Sequence, residues 1–376
     1  DGHKFLQNIN VIRTVKNMIP VLKSSDKHLI FISPVTQIPI ELEKDITTFP
    51  FNLPTVGELM AAAQKIVADN GLTNEVEEAT IGAAQGMTLD ESENAMSLSL
   101  ITEKTFSRKI LEAEKLQAVK KSGLMELYSA VEESELGGLE NLKKYLHKRK
   151  KGFTDPALSK GKPKGILLLG MPGTGKSLSA KVVASILELP LVRLDFSSLK
   201  SSLVGDSEKR LRQALQVIDA LHGSVVWLEE VEKAVSGVQS SGKTNGGTTS
   251  SMFGALLTWM EESKSPHYLV GTVNDVEELL SASQGALLRR FDNLFYVDAP
   301  DEDERKSIIA IMNRRYGTDI SEALAIKMAG WTGAEIEKFT RASLYDGIEE
   351  AFSDIKPISE QNKAVIDKAR EWAAVN

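Results

Sequence analysis

The chain has 376 residues, enough for about two to three domains with sizeable buried cores. Apolar residues make up 42% of it and charged residues 26%, which excludes a wholly disordered or membrane-embedded chain. The absence of cysteine excludes disulfides, thiolate metal sites and cysteine nucleophiles, and it indicates a reducing compartment such as the cytoplasm. A net charge of -7 argues against broad nonspecific binding to nucleic acid.

The first part of the chain predicts strands followed by helices. The stretches "HLIFISP" and "TTFPFNLP" predict strands of a partial sheet within residues 1–53, and residues 54–123 predict a helical bundle. Because the chain begins at Asp1 without an initiator Met, we expect a segment to precede it.

Part of this region is similar to a later part of the same chain. "GMTLDESENAMSLSL" (residues 86–100) aligns without gaps on "GWTGAEIEKFTRASL" (residues 330–344). The identical pairs include Gly86 with Gly330, Thr88 with Thr332, and Glu91 with Glu335. Two unrelated amphipathic helices are the alternative. Because the order of predicted elements also matches, we favour a duplication, with residues 1–123 as the back half of a degenerate second copy.

The middle of the chain predicts a linker and then an α/β domain. Residues 124–164 predict a charged linker, and the basic run "KKYLHKRKKGF" in it is typical of a solvated helix face, with contact to nucleic acid as the alternative. Residues 165–300 alternate strands and helices, which predicts a parallel sheet with helices on both faces. Residues 301–376 predict a separate helical unit.

The stretch "GMPGTGKS" (residues 170–177) lies between a predicted buried strand and a predicted helix. Its glycines allow successive backbone N–H groups to face an anion, and the following helix adds its positive N-terminal end. Lys176 is the point charge for the β- and γ-phosphates of a nucleotide, and Ser177 offers a hydroxyl to Mg²⁺. An ordinary Gly-rich turn is the alternative. The flanking elements favour a phosphate-binding loop and thus ATP and Mg²⁺ as cofactors.

Two acids follow the buried strand "VVWL". Glu229 and Glu230 would lie at the carboxyl end of a parallel strand, at the edge where the Gly-rich loop also lies. We expect Glu229 to serve the Mg²⁺ shell and Glu230 to polarise an attacking water. An exposed acidic turn is the alternative. The five histidines lack the spacing of zinc ligands, so we expect no zinc site.

Taken together, these motifs resemble the AAA family of ATPases over about residues 135–376. The likeness rests on "LGGLENLK", "GMPGTGKS", "VVWLEEVEKA", "GTVND", "ALLRRFD" and "WTGAEIE". It implies a P-loop α/β domain with a C-terminal helical lid, preceded here by a degenerate, partial AAA-like module. The resemblance implies that nucleotide is bound by Gly138, Pro172, Gly173, Thr174, Gly175, Lys176, Ser177, Leu178, Gly333 and Ala334. It also implies that Asn274 helps place the water and that Arg289 or Arg290 reaches a neighbouring subunit.

The chain departs from the family pattern in three places. Glu229 stands where the metal-side acid is normally Asp, which predicts slow hydrolysis or a shifted strand end. Arg289 and Arg290 are adjacent rather than separated by two residues. We favour Arg290 as the finger, with two surface arginines as the alternative. Leu203 and Val204 stand where threading members place an aromatic residue, which disfavours vigorous unfolding of a substrate.

These features predict a Mg²⁺-dependent ATPase whose site is completed by a neighbouring subunit. The resemblance implies a homo-oligomeric ring, a hexamer, acting as a remodeller or regulatory switch on an unidentified protein partner. No membrane association is expected. The Gly/Ser/Thr-rich stretch 236–251 would face the pore or a partner, or it is a tolerated insertion. An ATP-binding scaffold with little or no hydrolysis is the main alternative. A nucleic-acid motor or loader is supported only by the basic run.

Overall fold

The structure is a computed structural model. It describes residues 2–33, 38–49, 53–73, 75–121, 125–155, 158, 161–199, 206–221, 223–235, 246–275, 285–361, 366–368, 370 and 371. The chain divides into two units, Asp1–Leu53 and Pro54–Asn376. Leu203, Val204 and residues 236–245 of the Gly/Ser/Thr-rich stretch lie outside the described residues.

The regular elements among the described residues of the first unit are helices. It contains helices α1 (Gly2–Phe5) and α2 (Ile9–Lys23), with a small core of Leu6, Val15 and Leu42. The predicted partial sheet is not seen, because residues 27–33 and 46–49 form no strand in the part that the structure describes. Side chains that a sheet would bury are exposed, such as Ile30 at 80% and Phe49 at 85%. Alternating apolar residues need a partner strand to form a sheet, and these described stretches pair with none.

A helical module begins the second unit. It consists of α3 (Val56–Asp69), α4 (Glu78–Ile81), α5 (Leu89–Glu103) and α6 (Arg108–Lys121). These helices bury an apolar core of their own that includes Leu59, Ile81, Met87, Met96 and Leu111. The predicted bundle over residues 54–123 corresponds to this module.

The α/β domain is built on a six-stranded sheet, as the fold class predicted. Its strands are β1 (Glu126–Tyr128), β2 (Gly165–Gly170), β3 (Leu191–Leu194), β4 (Val225–Leu228), β5 (Tyr268–Val273) and β6 (Asn293–Val297), in the order β1-β3-β4-β5-β2-β6. All pairs are parallel except β1 with β3. Strands β2, β4 and β5 are buried throughout, which explains why they read as continuous apolar runs.

Helices cover both faces of the sheet. They are α7 (Glu140–Thr154), α8 (Lys176–Leu187), α9 (Phe196–Leu199), α10 (Asp206–Ala220), α11 (Val231–Val235) and α12 (Gly246–Glu262). One apolar core lies between the sheet and α10 with α12, and the other lies between the sheet and α7 with α8. The two cores cover the sheet on both faces.

The described residues between 125 and 164 form part of the α/β domain, which differs from the predicted linker. They supply β1, whose three residues are too few for a sequence signal, and α7, which packs against α8. Several side chains of the basic run on α7 have partners within the chain. Lys143 is buried and donates to the carbonyl of Leu136, Lys150 pairs with Glu188, and the Arg149 guanidinium lies over the ring of Tyr145. This use of the run weakens the nucleic-acid alternative.

The lid follows the sheet, and its described residues contain no strand. Its α-helices include α13 (Glu302–Tyr316), α14 (Gly333–Asp346), α15 (Ile348–Ser353) and α16 (Ile358–Gln361). Trp331, Phe339 and Phe352 form an aromatic cluster in its core. None of the helices found among the described residues has the length and apolarity to cross a membrane.

Helices α5 and α14 begin in the same way. Each follows a glycine with positive φ, Gly86 at 97° and Gly330 at 80°. Each has a threonine N-cap whose hydroxyl accepts from the backbone of a glutamate three residues on, while that glutamate accepts from the backbone of the threonine. The paired residues are those that the sequence alignment matched. This geometry favours the duplication, which stays a prediction.

Candidate functional site

The phosphate-binding loop joins the end of β2 to the start of α8. Gly173 and Gly175 have φ values of 84° and 99°, which residues with a Cβ rarely adopt. The Thr174 hydroxyl donates to the carbonyl of Met171 at 2.9 Å and closes the loop on itself. The open N-terminal turn of α8 follows directly, so backbone N–H groups converge on one concave surface.

Lys176 is the buried cation of this loop. Its side-chain amine donates to the carbonyls of Gly170 and Met171, at 2.7 and 2.6 Å. Burial lowers the pKa of Lys176 to about 8, although Glu232 and Glu230 favour its charged form. The two carbonyl contacts hold the amine beside the place where a nucleotide phosphate would lie.

Glu230 follows β4 and is held in a fixed orientation. Its backbone has φ 49°, and its N–H donates to the hydroxyl of Thr272 at 3.3 Å. The Asn274 side-chain amide donates to Glu230 Oε1 at 3.0 Å, and Lys233 forms an ion pair with the other carboxylate oxygen. The predicted water-polarising acid and the predicted polar sensor are therefore in direct contact.

Glu229 contacts an arginine of the neighbouring strand. Its Oε2 lies 2.8 Å from Nε of Arg193 on β3. Burial raises the pKa of the Glu229 carboxyl above its ordinary value, and Arg193 opposes this by favouring the charged form. The predicted metal-side acid thus has a cationic partner within the chain.

The lid and the segment before α7 close the site. The backbone N–H of Ala334, at the start of α14, donates to the carbonyl of Gly173 at 3.1 Å. Gly138 lies against the first lid helix, because a Cβ added there would come within 2.5 Å of Glu304 Oε1. The same oxygen accepts from the N–H of Leu139 at 2.9 Å. The lid is therefore joined to the loop on one side and to residues 138–139 on the other.

One cavity of about 370 Å³ brings these parts together. Its lining includes most of the predicted site residues: Pro172, Gly173, Thr174, Gly175, Lys176, Ser177, Leu178, Glu229, Glu230, Asn274, Gly333 and Ala334. Gly138 is not in the lining, although its neighbour Gly137 is. Ile308, Ile311 and Met312 of α13 add an apolar wall, which suits a flat aromatic base.

Arg289 and Arg290 lie away from this cavity, on a short 3₁₀ turn before β6. Arg290 is half-buried and pairs with Glu261 of α12 at 2.8 Å, whereas Arg289 is exposed. Neither arginine serves the nucleotide cavity of its own chain. This position is compatible with the predicted role towards a neighbouring subunit.

The sequence analysis missed several residues of the site, among them two that contact predicted residues directly. Glu232 is buried, accepts from the backbone N–H of Asn274 at 3.0 Å, and favours the charged form of Lys176. Thr272 accepts from the backbone of Glu230 and lines the cavity. Glu232 could have been found as a third acid, two residues after Glu230, but Thr272 carries no signal of its own within an apolar strand.

A Ser–His–Asp chain lies at the opposite edge of the sheet. Ser224 is 3.0 Å from Nδ1 of His267, whose Nε2 is 3.3 Å from Asp219, although the sequence suggested no such arrangement. Ser224 is fully buried, so no substrate can reach its hydroxyl. Asp219 also accepts from Trp259 and Ser263. These contacts therefore link α10 and α12 to the sheet. They do not form a catalytic triad.

The donor set fits Mg²⁺ bound together with nucleotide phosphates. The Ser177 hydroxyl and the Glu229 carboxylate are hard oxygen donors, and both line the cavity. Within the part of the chain that the structure describes, no group of three or more His, Cys, Asp or Glu residues could hold a metal by itself. Mg²⁺ commonly uses one or two protein oxygens and takes its other ligands from phosphates and water.

Comparisons with known proteins agree with this geometry. The family model "ATPase family associated with various cellular activities (AAA)" matches residues 166–299. A second model, "SpoVK-like AAA ATPase, N-terminal domain", matches residues 1–51. The AAA domain-containing protein ycf46 of Trieres chinensis is 32% identical over 398 residues, which cover 100% of this chain and 79% of that protein. The chain belongs to the AAA family of ATPases.

Other AAA proteins are similar over most of the chain. The ycf46 protein of Pyropia yezoensis is 32% identical, with 99% of this chain and 80% of the relative covered. Among solved structures, the AAA domain of FIGL-1 in complex with ADP aligns with a TM-score of 0.54 and 24% identity, covering 67% of this chain and 93% of that chain. This structural likeness shows the fold. AAA proteins bind nucleotide and typically assemble as hexameric rings.

Proposed function

We propose that the cavity binds ATP with Mg²⁺ and hydrolyses ATP to ADP and phosphate. The observation that supports this most is the direct contact between Glu230 and Asn274 across the cavity from Lys176. It places a carboxylate, an amide and an ammonium group on one enclosed surface. These are the groups that phosphoryl transfer to water requires.

The loop and Lys176 bind the phosphates. Backbone N–H groups of the loop and the N-terminal end of α8 face the negative charge, and the Lys176 amine exchanges its two carbonyl contacts for phosphate oxygens. The apolar wall from α13 receives the base. When bound, Mg²⁺ neutralises phosphate charge, and Ser177 and Glu229 are the residues that would hold it.

Glu230 acts on the water. Its Oε1 is fixed by Asn274, and its backbone is fixed by Thr272, so the carboxylate is positioned before the substrate arrives. From this position it accepts a proton from the attacking water while Asn274 orients that water. Lys233 pairs with the other oxygen of the same carboxylate and limits its rotation further.

A neighbouring subunit completes the site in this proposal. Arg289 and Arg290 lie on an outer turn, away from the cavity of their own chain, which supports a role at the cavity of the next subunit in a hexameric ring. An arginine in that position increases the rate by about 10³–10⁵-fold. The turnover would drive remodelling of, or a regulatory switch on, a protein partner.

One observation favours an ATP-binding scaffold as the second candidate. Glu229, the longer acid at the metal-side position, is engaged by Arg193. If this pair keeps Glu229 from the Mg²⁺ shell, the protein binds ATP but turns it over slowly or not at all.

The test measures ATP hydrolysis per subunit as a function of protein concentration. We expect the rate per subunit to rise cooperatively with concentration, because each site needs an arginine from a neighbour. Glu230→Gln should abolish hydrolysis and keep ATP binding, and Lys176→Ala should abolish both. Negligible hydrolysis at every concentration with retained binding would instead establish the scaffold.

Mixed assemblies test whether the site is shared. Lys176→Ala and Arg290→Ala subunits are each expected to be inactive, but a mixture should recover part of the activity, since some interfaces combine an intact loop with an intact arginine. The same mixture with Arg289→Ala identifies which arginine acts. Arg212→Ala, which removes an exposed arginine that pairs with Glu208 on α10, is the matched control and should stay active. Absence of recovery in both mixtures contradicts a shared site.

A further inference from the structure

Arg193 lies beside the nucleotide site without lining it. It is on β3, where its Cα pairs with that of Trp227 on β4. Glu229 comes two residues after Trp227, in the turn that directly follows β4. The Arg193 side chain crosses over Trp227, with its guanidinium 5.6 Å from that ring, and ends with Nε 2.8 Å from Glu229 Oε2.

The guanidinium of Arg193 is fixed by groups other than Glu229. Its Nη1 donates to Glu126 at 2.9 Å and to the hydroxyl of Tyr128 at 2.8 Å, both on β1. Asp195 lies 3.7 Å from Nη2. Because only 21% of the Arg193 side chain is exposed, the arginine has little freedom to move. Arg193 is therefore a positionally fixed cation with which Glu229 forms an ion pair.

A glutamate at position 229 has more side-chain freedom to lose on binding a metal than an aspartate would. Its additional methylene adds a rotatable bond, so an unrestrained side chain would lose more conformational entropy on meeting a metal. The ion pair engages Oε2 of Glu229, and Glu229 lines the cavity whereas Arg193 does not. Partners of this kind behind a ligating carboxylate orient it and strengthen metal binding.

We propose that Arg193 is a positioning residue that holds Glu229 for the Mg²⁺ of the bound nucleotide. This inference rests on the proposed function. It assigns a role to β1 as well, because Glu126 and Tyr128 on that strand hold the arginine in place.

The experiment measures binding of a fluorescent ATP analogue to the full chain by anisotropy, in EDTA and over a Mg²⁺ titration. Arg193→Gln should raise the Mg²⁺ concentration needed for tight binding by about tenfold, while affinity in EDTA stays unchanged. Arg193→Lys should recover part of the effect. Tyr128→Phe keeps the ring and removes one hydrogen bond to Arg193. It should raise the Mg²⁺ requirement by about threefold, and it tests the same idea if the Arg193→Gln variant fails to fold.

Two further variants separate positioning from a structural role. Glu229→Asp shortens the acid by one methylene, so adding Arg193→Gln to it should change the Mg²⁺ requirement little. Arg212→Gln is the matched control and should match the unmodified protein. Equal losses in EDTA and in Mg²⁺, an unchanged or lower Mg²⁺ requirement in Arg193→Gln, or full additivity with Glu229→Asp would each overturn the inference. If the unmodified chain binds the analogue without any dependence on Mg²⁺, the proposed function fails as well.

Discussion

The titration of Lys176 should make ATP binding depend on pH between pH 7 and pH 9. With a pKa of about 8 in the free protein, Lys176 is about nine-tenths protonated at pH 7 and about one-tenth protonated at pH 9. Phosphates select the charged form, so binding at high pH must first add a proton. The apparent affinity should therefore fall about tenfold between pH 7 and pH 9, or about 1.4 kcal/mol.

Isothermal titration calorimetry of ATP over this range is the direct assay. Near pH 8, binding should take up about half a proton per site, which is measured as a difference between buffers of unlike ionisation enthalpy. The second pKa of a phosphate is about 6, so the ligand contributes little in this window. Lys176→Arg carries a charge that does not titrate there and should abolish the slope. An affinity independent of pH, or the same slope in Lys176→Arg, would refute the reasoning.

Three further predictions concern single side chains. Gly138→Ala should cost about 1–3 kcal/mol more in unfolding free energy than Gly317→Ala, because an added Cβ at Gly138 would lie 2.5 Å from a lid carboxylate oxygen, whereas nothing lies within 4 Å at Gly317. Chemical denaturation compares the two. Glu335→Ala should lower the free energy of unfolding by about 2–3 kcal/mol, and Glu91→Ala, at an exposed position, by about 1 kcal/mol. The difference is expected because the buried Glu335 also accepts a hydrogen bond from the backbone N–H of Ile358 at 2.7 Å. Equal losses would contradict this reasoning. Thr272→Val should lower kcat about tenfold and leave ATP affinity unchanged, as single-turnover kinetics and equilibrium binding can check.

The sequence predicts best what is local in the chain. The phosphate-binding loop occupies eight consecutive residues, so its chemistry and its flanking strand and helix could be read together. The starts of α5 and α14 were also readable, because a threonine and the glutamate three residues later form each cap. The acids after β4 follow an apolar run that only a buried strand explains.

Contacts between distant residues were beyond the sequence. The Glu229 partner, Arg193, lies on another strand, and only the order β3-β4 brings the two together. The pairing of Arg290 with Glu261 joins a turn to a helix in the same way. Strand β1 was missed because three residues show no periodicity. The partial sheet predicted within residues 1–53 is not seen in the residues described there, since their apolar stretches have no partner strand.

The capping boxes and the sheet differ in how far apart their contacts lie along the chain. A capping box joins residues three apart, so the helices of the bundle and of the lid can start to form while the rest of the chain is unfolded. Strand β2, which carries the phosphate-binding loop, instead pairs with β5 and β6, both far later in the sequence. During synthesis, β2 and the loop after it can therefore reach their native structure only after β5 and β6 have left the ribosome. The nucleotide site is expected to be among the last parts of the molecule to fold, and a ligand that binds it would act on a late step of folding.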